Sequence, residues 1–329
     1  MMKLQIESRI ERLPMREPFM LARGTVFEIE VLVVEVRDHE GHVGRGEAPG
    51  LPYMGETGTS MAEQIASVAT QVEHDTTGEP LLKLLPAGGA RNALDCALWD
   101  LRAKRERRRA WRLAGIAPWA PVRTAVTLGI GDDEDFRRRV LAHAHMPILK
   151  IKVNRDRHVD LVEIARELHP TARLIVDANQ AWDRDLLDRL TPELHRLGVE
   201  LVEQPVPRWG DEQLRGHRAP FALAADESCT DRHSLDRLQG LYSHVSIKLD
   251  KSGGLTEGLA LASQARDLGF RLMVGNMGGT SLAMAPHFLI AQLCDYVDLD
   301  APLLFTRDRE SPLIYDGASI QPPETALWG

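Results

Sequence analysis

Cysteine is scarce in this chain: Cys96, Cys229 and Cys294 stand alone among 329 residues. Their odd number and unpaired spacing argue against both a disulfide framework and a zinc site. No stretch reaches the roughly 18–20 consecutive apolar residues of a membrane-spanning helix. The opening MMKLQIESRIERLPMREPF has no apolar core resembling a signal peptide, so a cytoplasmic chain without a membrane partner is expected. An excess of positive charge is also missing. The formal net charge is −8, with 40 Lys and Arg scattered among 48 Asp and Glu, which leaves no electrostatic footprint for nucleic acid. The remaining composition is ordinary for a globular protein, 43% hydrophobic, at a length whose prior is about two domains. A small molecule is the expected partner.

The texture changes along the chain. Residues 27–36 (FEIEVLVVEV) alternate as a strand does, and DHEG at 38–41 is a turn signal. From Ser60 to about Leu113 the periodicity is helical; in ARNALDCALWDLRAKR, Ala90, Ala93, Leu94, Ala97, Leu98 and Leu101 share one face. Strands followed by helices predict an α+β domain over residues 1–118. From Val122 onward strands recur at VRTAVTLG, LKIKVN, RLIVDAN, VELVEQP, FALAADES, VSIKLDK, RLMVGNM and YVDLDAP, and most of the seven connections are amphipathic. Eight parallel strands with seven helices predict a (β/α)7β modified TIM barrel over 119–308, with a tail at 309–329 returning to the first domain.

Five of those strands end in a chargeable residue, in the order base, acid, acid, acid, base. Lys152, Asp177, Glu203, Asp226 and Lys248 follow one another at intervals of 25, 26, 23 and 22 residues, one strand plus one helix each, so all five project from one rim. A carboxylate in mid-strand would be desolvated inside the barrel, whereas one at the C-terminal end opens onto the loop face. Each acid taken singly has a bland alternative, that it ends its strand or caps the next helix. Three consecutive strands ending this way point instead to one site.

Three carboxylates on a rigid rim suit Mg²⁺, which takes oxygen ligands near octahedral geometry and keeps positions open; no histidine pair at metal spacing suggests zinc. Such a cation is a Lewis acid for a substrate carboxylate, stabilising the charge that develops when the neighbouring C–H is deprotonated. Lys150 and Lys152 lie two apart on one strand and so share a face, while Lys248 comes from the strand four positions round, with Lys251 as its rival three residues on. A lysine needs its pKa lowered from about 10.4 to about 7–8, roughly 4 kcal/mol, to act as a base. Repulsion from Lys150 and the metal is the expected cause. Two bases across a carbon acid imply a 1,1-proton transfer.

KIK at 150–152, DAN at 177–179, EQP at 203–205, DES at 226–228 and IKLDKSGGLTE at 247–257 together resemble the enolase superfamily, its muconate-lactonising-enzyme subgroup, and within it the dipeptide epimerases. LPAGGARNALDCALWDL at 85–101 and the DLD of Asp298 to Asp300 add to that resemblance, which covers essentially the whole chain. In that superfamily a lysine base works beside Mg²⁺ that stabilises an enediolate. The resemblance implies epimerisation at the α-carbon of the C-terminal residue of L-Ala-D/L-Glu or a related dipeptide, one Mg²⁺ per subunit, a homo-oligomer and a place in cell-wall peptide recycling. It makes Asp177, Glu203 and Asp226 the metal ligands and Lys152 and Lys248 the acid/bases. Lys150 would hold the substrate carboxylate, and Asn179 and Glu227 would support the ligands. Asp298 and Asp300 would grip the terminal ammonium, a fit that also stands on charge alone, the other reading being an exposed acidic turn. Arg23, in FMLARGT, matches a position that pairs with a glutamate side chain. Tyr53, in GLPYMGE, is a lid residue or a packing residue.

Loops near 15–25 and 49–59 are expected to close over the barrel mouth. One departure concerns GNMGGTS at 275–281, where Asn276 replaces the usual cysteine or serine and Gly278–Gly279 replace bulkier residues. Asn276 is thereby a substrate-side candidate, and the two glycines suggest room for a larger first residue. A cycloisomerase, an o-succinylbenzoate synthase or an N-acylamino-acid racemase would share the metal and lysines but needs no acidic pair. An acid-sugar dehydratase would want a histidine after the seventh strand. A metal-binding or sensory protein without turnover would tolerate loss of a lysine, yet both are present.

Overall fold

The computed structural model describes residues 4–21, 24–73 and 78–329. The chain begins with an antiparallel sheet of β1 (Gln5–Leu21), β2 (Gly24–Arg37) and β3 (Val43–Pro49), ordered β1-β2-β3. β1 and β2 form a long arm whose register shifts between Pro14 and Phe19. The segment near residues 15–25, expected as a loop, is therefore strand in its described part. Pro14 and Pro18 hid it: a proline cannot donate to the ladder, so the alternation reads as broken where the register shifts.

Four helices follow: α1 (Gly58–Val68), α2 (Glu79–Leu84), α3 (Gly89–Glu106) and α4 (Ala110–Leu113). In α3 the expected face is the buried one, with Ala90, Ala93, Leu94, Ala97, Leu98 and Leu101 all in the core. It packs against β3 at a distance only glycine allows. A Cβ on Gly44 would lie 2.1 Å from the Ala97 carbonyl oxygen, and one on Gly46 2.0 Å from that of Ala93.

VRTAVTLG divides in two. β4 (Val122–Arg123) joins a small sheet with β13 (Tyr315–Asp316) and β14 (Ser319–Ile320), and the barrel starts at β5 (Val126–Leu128). The barrel continues through β6 (Ile148–Lys152), β7 (Arg173–Asp177), β8 (Val199–Glu203), β9 (Ala222–Ala225), β10 (His244–Ile247), β11 (Arg271–Val274) and β12 (Tyr296–Val297), all parallel and in chain order. Its two ends meet where Ala125 N donates to Val297 O at 2.8 Å. The connections carry α5 (Asp133–Ala142), α6 (Val159–Leu168), α7 (Arg184–Arg196), α8 (Leu235–Leu238), α9 (Leu249–Ser252), α10 (Leu255–Asp267) and α11 (Ser281–Ala291). Between β8 and β9 there is only a 3₁₀ turn, Asp211–Leu214, where a helix was expected. A last short helix, α12 (Ala301–Leu304), follows β12. Among the described residues no helix is long and apolar enough to cross a membrane, and the three cysteines are free thiols.

Polar side chains on the far side of α3 dock it to the loop after β10. Arg91 donates to Ser252 O (2.7 Å) and Gly253 O (2.9 Å), and Asp95 accepts from Thr256 N (2.8 Å) and Oγ1 (2.7 Å). Gly254, at φ +123°, is needed there because a Cβ would fall 2.6 Å from that of Asp95. The tail closes on the same helix: Trp328 Nε1 donates to Cys96 O at 3.0 Å and Gly329 N to Asp100 Oδ1 at 2.8 Å.

Asp250 sits in this seam with no exposure. Its Oδ1 accepts from Asn92 Nδ2 at 2.9 Å, but its Oδ2 has no hydrogen-bond partner. Burial, the largest cause, pushes its carboxyl up to about 7. Between pH ~4 and ~7 the folded chain keeps a proton that the unfolded chain has released, so this residue's contribution to stability falls as pH rises through that window. Asp250→Asn should therefore gain stability relative to the parent from pH 4 to pH 7, by on the order of 4 kcal/mol. Denaturant titrations at several pH values check this, and a pH-independent difference would contradict it.

Candidate active site

One pleat of the barrel accounts for the site. Ala125, Ile148, Ile175, Leu201, Ala224, Met273 and Tyr296 form an apolar cluster inside the barrel, one residue from each of seven strands or their starts. Because side chains on a strand repeat every second residue, the next inward layer lies two positions on. Those positions are Thr127, Lys150, Asp177, Glu203, Asp226, Gly275 and Asp298. On β10 the same step leads from Ser246 to Lys248, and on β6 a further step leads to Lys152. Gly275 is a glycine for space, since a Cβ there would meet Lys248 Cε at 2.9 Å.

This layer is a dense arrangement of opposite charges. Lys150 Nζ lies 3.0 Å from Asp177 Oδ2, 2.7 Å from Glu203 Oε2 and 2.8 Å from Asp298 Oδ2. Lys152 Nζ donates to Asp177 Oδ2 (2.6 Å) and Asn179 Oδ1 (3.0 Å). Lys248 Nζ donates to Asp226 Oδ2 at 2.7 Å. Lys152 and Lys248 extend β6 and β10, four strands apart in a ring of eight, and so face each other across the barrel mouth.

The electrostatics follow from burial and these pairs. The Asp177 and Asp226 carboxyls stay well below the usual carboxylate range: burial acts to raise them, but Lys152 and Lys150 overcome it at Asp177, and Lys248 and Lys251 at Asp226. Glu203 goes the other way, and burial is the main reason it reaches about 7. The carboxylates outweigh burial at the amines and raise both Lys150 and Lys248 above the ordinary lysine value. That is the reverse of the depression expected from amine–amine repulsion, because each ammonium has an anion closer than another amine. Lowering either amine requires the carboxylate charge to be drawn elsewhere.

The residues fit a divalent cation. Neither oxygen of the fully buried Glu203 receives a hydrogen bond, the ion pair to Lys150 apart. Six buried acids (Asp177, Glu203, Asp226, Glu227, Asp298, Asp300) share this region with four buried amines (Lys150, Lys152, Lys248, Lys251), and burial raises the carboxyls of Glu203, Glu227 and Asp300, a shift that a cation held beside them would oppose. Among the described residues the one group of three His, Cys, Asp or Glu side chains whose ligand atoms all lie within 4.8 Å of one another is Asp38, Glu40 and His42; Asp177, Glu203 and Asp226, held apart by their lysines, are not drawn together to that extent. The first group is a turn closed on itself, with Asp38 accepting from Glu40 N (3.0 Å), His42 N (2.9 Å) and His42 Nδ1 (2.9 Å).

Two supporting residues, Gln204 and Thr127, were not singled out from the sequence. Gln204, at φ +38°, accepts from Asp226 N (2.9 Å) and Ser228 N (3.0 Å), which locks the strand tip that carries Asp226. Lys251, the rival to Lys248, donates to Asp226 Oδ1 (2.6 Å), Asp226 O and Ser246 O (3.1 Å), and does not line the cavity. Thr127 holds both late acids, through Oγ1 to Asp298 Oδ1 (2.9 Å) and N to Asp300 Oδ2 (2.6 Å). The signal for Gln204 was the EQP motif itself. Thr127 was legible only through the two-residue step above Ala125.

The cavity over this layer measures about 520 Å³. Lys150, Lys152, Asn179, Asp226, Glu227, Lys248, Asn276, Asp298 and Asp300 line it from the barrel, with Asp177 and Glu203 beneath. Met15, Phe19, Val26, Ile29, Pro52 and Tyr53 line it from the cap. Tyr53, in the turn Pro52–Met54, has its hydroxyl pushed up by burial and the Asp226 charge. Arg23 lies outside the described residues. Asn276 is committed to backbone, its Nδ2 donating to Asp298 O (2.7 Å) and its Oδ1 accepting from Gly278 N (2.9 Å). Of the two glycines only Gly278 faces the cavity, and there Ile29 takes up the room, lying 2.8 Å from where a Cβ would be. A Cβ on Gly279 would meet Ala283 at 2.6 Å, so that glycine makes space for the protein itself.

Residues 5–115 match the mandelate racemase / muconate lactonizing enzyme N-terminal domain, and residues 133–326 match the enolase C-terminal domain-like family. The L-Ala-D/L-Glu epimerase of Escherichia coli K12 is 42% identical over 305 residues, 92% of this chain and 95% of that protein. An N-acetyl-D-glutamate racemase of Pseudoalteromonas sp. is 38% identical over 303 residues, 91% and 95% of the two chains. In three dimensions the chain is similar to an Agrobacterium tumefaciens enolase family member with homology to dipeptide epimerases, solved with sodium and L-Ala-L-Glu. The TM-score is 0.96 at 36% identity, covering 99% of this chain and 100% of that one. It is also similar to a Methylococcus capsulatus dipeptide epimerase solved with Mg and L-Arg-D-Lys, at TM-score 0.90 and 29% identity over 98% of each chain. Matched over both its parts, with a charged layer one pleat above a closed parallel barrel, the chain belongs to the enolase superfamily, in its mandelate racemase / muconate lactonizing enzyme family.

Proposed function

We propose that this chain is a dipeptide epimerase: an isomerase, with Mg²⁺ as cofactor, that inverts the α-carbon of the C-terminal residue of L-Ala-D/L-Glu or a related dipeptide. The observation that carries the reading is the pair Lys152 and Lys248, facing each other across one cavity that ends in Asp298 and Asp300. The relatives' activities and the dipeptides bound in the similar structures support it.

The barrel, residues 119–308, would hold the chemistry, and residues 1–118 with the tail 309–329 the lid. Asp177, Glu203 and Asp226 would hold the metal, with Glu227 beside them. When bound there, Mg²⁺ supplies Lewis-acid stabilisation of the negative charge that develops on the substrate carboxylate, worth several kcal/mol. Lys150, shared among Asp177, Glu203 and Asp298, keeps that layer assembled and lies within reach of the substrate carboxylate. One of Lys152 and Lys248, neutral at Nζ, takes the α-proton from one face; the other, as ammonium, returns a proton to the opposite face. Asn179 holds the Lys152 amine in line. Asp300 and Asp298 attract the terminal ammonium, and Met15, Phe19, Val26, Ile29 and Tyr53 keep water from the reacting carbon. Arg23 is assigned to the second residue's side-chain carboxylate. The reading further places the enzyme in the cytoplasm, in cell-wall peptide recycling, as a homo-oligomer.

A second reading, an N-acylamino-acid racemase, has one observation in its favour beyond the 38% identical racemase: Asp298 is already paired with Lys150, which leaves Asp300 less help in binding an ammonium. N-acetylation separates the two. A free dipeptide should turn over at least about 10²-fold faster than its N-acetyl derivative, and equal rates would favour the racemase.

Lys152→Ala and Lys248→Ala should each lower epimerisation by about 10³-fold, in keeping with the loss of a general base. Each variant should still exchange the α-proton of a single stereoisomer in D₂O, read by mass spectrometry. Full epimerisation by either would end the two-base assignment. Mg²⁺ added to chelator-treated protein should raise the melting temperature by ligand linkage. Glu203→Gln should remove that shift, and an unchanged shift would take Glu203 out of the ligand set.

A further inference from the structure

The two faces of β3 do different work. Gly44 and Gly46 lie against α3, and by the alternation of a strand Arg45 and Glu47 face the other way. Arg45 reaches the tail, donating to Ala326 O and to Leu327 O at 2.9 Å. Glu47 reaches the barrel. It has no exposure, yet both its carboxylate oxygens accept hydrogen bonds. Its Oε1 accepts from Thr280 N at 2.7 Å; its Oε2 accepts from Thr280 Oγ1 (2.5 Å) and from Arg309 Nε (3.0 Å) and Nη2 (2.5 Å). Arg309 Nη1 continues to Glu11 Oε2 at 2.9 Å, on the arm. Thr280 is also the N-cap of α11, accepting from Leu282 N at 3.2 Å, and Asp308 takes the next residue through Ser281 N (2.8 Å) and Oγ (2.6 Å).

This junction lies at the roots of two cavity walls. Glu47 precedes Pro49, Gly50, Pro52 and Tyr53, which line the cavity from the cap; Thr280 follows Asn276, Met277 and Gly278, which line it from the barrel. The other end of the barrel segment is tied by Asn276 to the Asp298 carbonyl. A buried ion pair with every partner present is rigid, and removing one partner strands the other charge. We propose that Glu47, Thr280 and Arg309 form a strut that fixes the spacing between the cap wall and the 275–280 segment, and that Glu47 is thereby a positioning residue for substrate affinity. The kinetic part of this inference rests on the epimerase reading; the structural coupling does not.

Glu47→Gln keeps the size and the acceptor for Thr280 N but removes the charge that holds Arg309. Arg309→Lys keeps the charge and loses the forked contact. Both are expected to melt below the parent, which a merely structural role would also give. The strut requires in addition that KM for the dipeptide rise about tenfold in Glu47→Gln, with kcat within about threefold, and by less in Arg309→Lys. KM within twofold of the parent in both variants overturns the proposal. Hydrogen exchange reads the coupling without turnover: in Glu47→Gln, residues 49–58 and 275–280 should exchange faster together, and acceleration on one side alone overturns it. A parent inactive on every dipeptide would refute the epimerase reading and leave the strut to the exchange result. Should Glu47→Gln not fold, Thr280→Val, which removes only the hydroxyl contacts, is measured in its place with the same outcomes.

Discussion

Everything in this molecule depends on how charge is buried at the tips of barrel strands. Three acids and three amines on β6 to β10 and their ends would each be costly to desolvate alone. They are tolerated because they stand side by side in one inward layer, directly above an apolar layer that fills the barrel, and because each has an opposite charge within 3.0 Å. The compensation is incomplete. Glu203 has an ion pair but no hydrogen bond, and burial raises its carboxyl. That remainder fits a divalent cation better than it fits a closed structural salt bridge.

Around this layer the chain spends its polar side chains on holding strand tips still. Gln204 and Lys251 both act on Asp226, Thr127 on Asp298 and Asp300, and Asn276 on the backbone of Asp298. The cap is fastened by the same means. Arg91, Asn92 and Asp95 on α3 dock to residues 250–256, so the motif at 247–257 that carries Lys248 is also the cap's anchoring surface. Glu47, on the other face of β3, fastens the start of α11 and Arg309. Two polar seams thus bind the cap to the barrel, at the neighbouring connections after β10 and after β11.

Much of this was legible in the residues. The apolar run before each strand-end charge announced the parallel barrel and its charged rim, and the face of α3 was visible in its periodicity. The readings that failed did so for identifiable reasons. Two prolines disguised the arm near residues 15–25 as a loop, and the connection after β8 winds into a 3₁₀ turn instead of a helix. VRTAVTLG looked like one strand because nothing local marks the point where the chain leaves the small sheet shared with the tail for the barrel. The pair Gly278–Gly279 suggested room for substrate, but Ile29 and Ala283, distant or facing inward, occupy most of it.

The division between sequence and tertiary structure is therefore one of range. Alternation, spacing and side-chain chemistry act within a strand and the helix after it, and these by themselves determined the barrel and the order of its charged tips. Partner choice acts across the fold. That Lys150 bridges Asp177, Glu203 and Asp298, that Lys251 serves Asp226 rather than the cavity, and that Glu47 meets Arg309 from 262 positions away were decided only when the sheet closed. In a buried layer each charge is shaped by its nearest neighbours in space, and no spacing along the chain specifies those.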